Sequence, residues 1–123
     1  MAQLLPQEME VRYLLPALRK ELTDIFLDTH KLKQREVAQL LGLTEAAISQ
    51  YRRKVRGHDL HFNEVEIAII KEYAQKIIDD KKEATHLLYK LSVALKGYPS
   101  LCALHKKIDP ELPHNCDWCR EKH

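Results

Sequence analysis

Apolar residues recur every three or four positions along nearly the whole chain, and no stretch alternates with period two over strand length. That pattern confines the chain to the all-α class. Leu18, Leu22, Ile25 and Phe26 form the first clear face. Pro16 suits the first turn of that helix, where its missing N–H has no intrahelical partner, and it biases Leu15 away from helical geometry. The residues before it are then a short separate helix or a packing arm. A second helix over residues 34–41 stops at Gly42, and Thr44 caps a third that buries Ile48, Tyr51 and Val55 and stops at Gly57. Residues 58–62 read as a loop. Asn63 caps a fourth helix carrying Ile67, Ile70, Ala74 and Ile77, and a fifth face follows at Ala84, Leu87, Leu88, Leu91 and Leu95. No Gly or Pro interrupts residues 79–82, so one long helix and two shorter ones both fit. Gly97-Tyr98-Pro99 closes the periodic part.

The charge is unevenly placed. The net charge is only +2, yet residues 31–56 hold seven basic side chains against Glu36 and Glu45, and residues 57–83 hold four lysines against seven acids. A local positive patch in a near-neutral chain is the footprint of a polyanion binder. No run of 18 apolar residues offers a membrane span, and the first residues lack the basic and apolar segments of a secretory signal, so no membrane association and a cytoplasmic location are expected.

Residues 34–51 carry the most specific pattern. Two helices that meet steeply need a small residue at their contact, which Ala38 supplies, and a permissive backbone at the turn, which Gly42 supplies. Val37, Leu41, Leu43, Ile48 and Tyr51 are the apolar anchors. The outer face of the second helix is left with Glu45, Ala46, Ser49 and Gln50, side chains short or polar enough to enter a DNA major groove. This stretch, Q-R-E-V-A-x-L-L-G-x-T-x-x-x-I-S-x-Y, resembles the lambda-repressor/Cro-type (XRE-like) helix-turn-helix transcriptional regulators, small archaeal and bacterial members with a C-terminal cysteine cluster among them. The resemblance covers about residues 16–62. It implies a multi-helix DNA-binding domain whose recognition helix spans residues 44–54, with Gln34 near a phosphate.

Two departures stand out. Lys33 occupies the place where many relatives have a Ser or Thr cap, and Arg52-Arg53-Lys54-Val55-Arg56 extends the recognition helix before Gly57. Within the resemblance, Glu45, Ala46, Ser49 and Gln50 are the base-reading candidates. Glutamate accepts from a cytosine amino group, glutamine pairs with adenine, and an alanine methyl meets a thymine methyl. Lys33, Gln34, Thr44, Arg52, Arg53 and Arg56 are the phosphate candidates. Solvation is the plain alternative for the basic groups, as is a helix-dipole role for Glu45. Tyr51 belongs to the core.

All three cysteines lie in the last 22 residues. Cys102 and His105 with Cys116 and Cys119 form C-x2-H-x10-C-x2-C, two knuckles that suit a tetrahedral metal. Pro110 and Pro113 stiffen the intervening loop. Cys3His is a structural zinc set, and three cysteines with an exchangeable fourth ligand also suit an iron–sulfur cluster. His114 and His123 are alternative fourth ligands, and His30, His58, His61 and His86 are surface residues.

The expected organisation is a helix-turn-helix DNA-binding domain over residues 1–62, a helical dimerisation segment over 63–98 and a metal-binding tail over 99–123. The expected function is a homodimeric, sequence-specific transcriptional regulator acting on double-stranded DNA. The alternative is an antitoxin-like or scaffold module that uses the helix-turn-helix secondarily. An enzyme is not expected: the chain has no Gly-rich phosphate loop, no paired carboxylates in an apolar setting and no nucleophile motif.

Overall fold

In the computed structural model, which describes residues 4–53, 56–112 and 116, every regular element is helical. The helices are α1 (Pro6–Met9), α2 (Leu15–Asp24), α3 (Gln34–Leu41), α4 (Glu45–Arg52), α5 (Glu64–Asp79), α6 (Ala84–Lys96) and α7 (Pro99–Ile108). No described helix is long and apolar enough to cross a membrane.

The first helical run is longer than Pro16 suggests. It extends over residues 6–29, with wide π-type turns at Glu10–Leu14 and Ile25–Thr29. Leu15 is helical (φ −61°, ψ −45°) in spite of the proline after it. The widened turn before Pro16 offers the reason. A π turn accommodates an extra residue, so the helix passes a position with no N–H to give and a ring that would crowd the preceding turn. Burial of Met9, Leu14, Ala17, Leu18, Leu22, Ile25 and Phe26 then holds the run on the core.

α3 ends as its sequence demands. Gly42 takes φ 66°, ψ 35°, and the Leu43 N–H donates to the Ala38 carbonyl at 2.9 Å, satisfying an otherwise orphaned helix carbonyl. Thr44 Oγ1 accepts from the Ala47 N–H at 3.1 Å and starts α4. α4 ends at Arg52 with Arg53 as its C-cap; the continuation expected through Lys54 and Val55 lies outside the described residues. The chain does break between α5 and α6. Asp80 leaves helical geometry (φ −141°, ψ 79°), and one 3₁₀ turn at Lys81–Glu83 leads into α6.

α5 and α6 join the same core as the earlier helices. Ile70, Ala74, Ile77, Leu91 and Leu95 belong to one cluster with Phe26, Val37 and Ile48. The boundary expected after residue 62 is therefore not a break in packing, and most of the apolar surface assigned to dimerisation is spent within the chain. The same holds for the start of the tail. Residues 99–108 form α7, and Leu101, 2% exposed, enters the core. Glu66 locks this corner although it is 1% exposed. Its Oε1 accepts from the Asn63 N–H at 2.8 Å and from the Ser100 hydroxyl, and its Oε2 accepts from the Ser100 N–H at 3.3 Å. The start of α5 is thereby tied to the start of α7.

Candidate nucleic-acid interface

Hydrophobic anchoring decides which face of α4 remains outside. Ile48 and Tyr51 are buried, and Val37, Ala38 and Leu41 are their counterparts on α3. Glu45 and Ala46 are exposed, Ser49 is half-buried, and Arg53 continues the outer stripe as an exposed residue. The Ser49 hydroxyl donates to Gln34 Oε1 at 3.4 Å. That contact brings together two candidates 15 residues apart and sets the N-terminus of α3 beside the outer face of α4.

Other candidates are placed differently. Gln50 is half-buried, and its Oε1 is shielded from solvent with no hydrogen-bond partner among the described residues. Its oxygen is therefore turned away from any incoming ligand. Lys33 caps α3 only through its backbone, since its N–H donates to Glu36 Oε1 at 3.4 Å while the exposed ammonium stays outside. Thr44 spends its hydroxyl on the Ala47 N–H.

Arg52 departs most from its expected role. Its Nη1 donates to Asp24 Oδ1 at 2.9 Å and to Asp28 Oδ2 at 2.8 Å, and its Nη2 donates to Asp28 Oδ1 at 2.6 Å. The two-pronged pairing matches the planar guanidinium to a carboxylate and staples α4 to the first helical run. The hydrogen bond from Arg52 holds the Asp28 carboxyl below its ordinary range, and Asp28 and Asp24 in turn push the guanidinium up. Sequence spacing gave no sign of this contact, because the partners are 24 and 28 residues apart. By contrast Lys33, Arg35, Arg53 and Arg56 are exposed and form no ion pair with a described residue.

The metal candidates lie at the far end of the chain. Cys102 and His105 sit one turn apart on α7, and Cys102 and Cys116 are free, half-buried thiols. Cys119, His114 and His123 lie outside the described residues, and no three potential ligands among the described residues converge on a point. His105 is 3% exposed, and its Nε2 lies 2.8 Å from the Leu4 carbonyl oxygen. A carbonyl only accepts, so Nε2 carries the proton and Nδ1 is the nitrogen left for a metal. A ligating histidine commonly donates its second N–H to a backbone carbonyl, so His105 fits a ligand role. Of the histidines expected at the surface, His58, His61 and His86 are exposed, while His30 is half-buried with its ring centroid 6.1 Å from that of Phe26.

Comparison with protein-family models, with curated proteins and with solved structures finds no match to this chain.

Proposed function

We propose that this protein is a DNA-binding transcriptional regulator that presents α4 to the major groove of double-stranded DNA. One observation carries the reading. α3 and α4 are joined through left-handed Gly42 and capped by Thr44, so that their apolar sides are spent on the core while Glu45, Ala46 and Ser49 face outward beside Gln34. This is a compact helix pair with one free, short-chained polar face, the shape a groove-reading element needs. Base reading falls to Glu45, Ala46 and Ser49, with Gln50 reduced to what its amide nitrogen reaches. Backbone anchoring falls to Lys33, Gln34 and Arg53, whereas Arg52 acts as a brace and Thr44 as a cap.

The regulator pairs as a homodimer, since one short helix reads few base pairs. Tyr89 and Val93, 63% and 49% exposed and one turn apart on α6, are exposed apolar groups that suit that contact. Cys102, His105, Cys116 and Cys119 bind a metal, zinc as a brace or an iron–sulfur cluster as a sensor. Metal and acid-labile sulfide analysis of protein purified without oxygen separates these two, and finding neither removes the metal from the proposal.

Substitution tests the α4 assignment. Ser49→Ala should change the preference among operator-like duplexes, and Arg53→Ala should weaken binding to all duplexes by a similar factor. An unaltered preference profile in Ser49→Ala would remove α4 from base reading.

A further inference from the structure

Behind α4, an open hollow of about 420 Å³ separates the first helical run from the loop that follows α4. Arg12, Arg19, Tyr51, Arg56, His58 and Asp59 line it. Three arginines and one carboxylate, Asp59, thus stand among the lining residues. His58 Nε2 lies 3.5 Å from that carboxylate, and Arg12 also reaches Glu8 at 3.5 Å, a marginal contact between exposed side chains. Arg19, also in the lining, has a buried Nε with no hydrogen-bond partner among the described residues. A buried donor left unpaired costs about 1–3 kcal/mol, a cost that a small movement of the side chain toward a bound anion would relieve.

The hollow lies away from the groove-reading face. Glu45, Ser49 and Arg53 follow one another at four-residue steps along the outer stripe, whereas Tyr51 is two residues from both Ser49 and Arg53. At 100° per residue it projects from nearly the opposite side of the helix. Gly57 fixes the floor. At φ 73° its backbone runs so close to the first run that a Cβ would stand 2.4 Å from the Pro16 carbonyl oxygen.

We infer that this hollow binds a small phosphorylated molecule. Several arginines favour phosphate over other anions, because the planar fork meets its oxygens two at a time. The volume falls in the range of small-ligand pockets and exceeds what a bare ion fills, which leaves the space beside Tyr51 and Pro16 for an organic portion. Such binding is independent of any contact between α4 and DNA.

Calorimetric titration of the full chain at fixed ionic strength tests it, with inorganic phosphate, ribose 5-phosphate and unphosphorylated ribose as probes. Ribose 5-phosphate should bind saturably at one site and more tightly than inorganic phosphate, and ribose should not bind. Arg56→Gln should weaken ribose 5-phosphate at least about ten-fold with the thermal midpoint unchanged, and Arg12→Gln serves the same purpose should Arg56→Gln not fold. Arg35→Gln, an exposed change outside the hollow, should have no effect. Absence of saturable binding by both phosphates, or equal binding by the arginine variants, would overturn the inference. So would displacement by a non-specific duplex, which would make the hollow a contact for backbone phosphate of DNA.

Discussion

Two glycines with similar backbone angles separate conformational cost from steric cost. Gly42 has φ 66° with nothing within 4 Å of where a Cβ would stand, whereas Gly57 has φ 73° with the Pro16 carbonyl in the way. Gly42→Ala should therefore cost about 1 kcal/mol, the left-handed penalty alone. Gly57→Ala should cost clearly more, because backbone must move as well. Denaturant unfolding of the two variants checks the order; equal losses would mean that the close approach at Gly57 is relieved freely. Arg52 and Arg53 separate in the same way. Arg52→Ala should lower the melting temperature, and Arg53→Ala should leave it unchanged while weakening DNA binding. The Arg52 contact also sets a pH dependence. Because Asp28 is held below its ordinary range, its contribution is full above the ordinary carboxylate range and is lost as pH falls through the depressed value. Acid should thus narrow the gap in melting temperature between wild type and Arg52→Ala, and a gap independent of pH would contradict the pairing.

At the scale of elements, caps and tethers hold the α3–α4 pair and the α5–α7 corner. Thr44→Ala should cost about 1 kcal/mol, the usual loss of a side-chain N-cap. Glu66→Ala should cost about 2–3 kcal/mol, since the Ser100 and Asn63 donors lose a shared acceptor in a closed corner. Equilibrium denaturation measures both, and a Glu66→Ala loss below that of Thr44→Ala would contradict the tether. These elements differ in how legible they were. Gly42, Thr44 and Asn63 announce themselves because their roles are local, decided by residues one to four positions away. The helix through Pro16, the break at Asp80 and the absorption of residues 99–108 into the bundle are decided by contacts with distant helices. No residue near Asp80 signals a stop, and the burial of Leu101 is a tertiary event.

For the whole molecule, one core runs from Met9 to Leu101, so the helical body should form without a metal. Chelation should leave far-ultraviolet circular dichroism nearly unchanged, unlike small domains that unfold when metal is removed. Collapse of the helical signal on chelation would mean that the tail organises the bundle. The candidate DNA surface was legible in part: Glu45, Ala46 and Ser49 follow from the helical period once Ile48 and Tyr51 are buried. The inward turn of the Gln50 oxygen and the capture of Arg52 by Asp24 and Asp28 were not, since both depend on where the first helical run passes α4. Arg19 was hidden for the same reason, because a sequence shows a charge but not whether its partner is missing.

If α4 meets DNA through a phosphate-anchored, groove-facing surface, its affinity must depend on salt. Fluorescence anisotropy of a labelled duplex, titrated with the full chain from low to high salt, tests it most directly. Binding at low salt should fall steeply and linearly on logarithmic axes as salt rises, with a shallower slope in Arg53→Ala. No binding at low salt, or binding indifferent to salt, would contradict it.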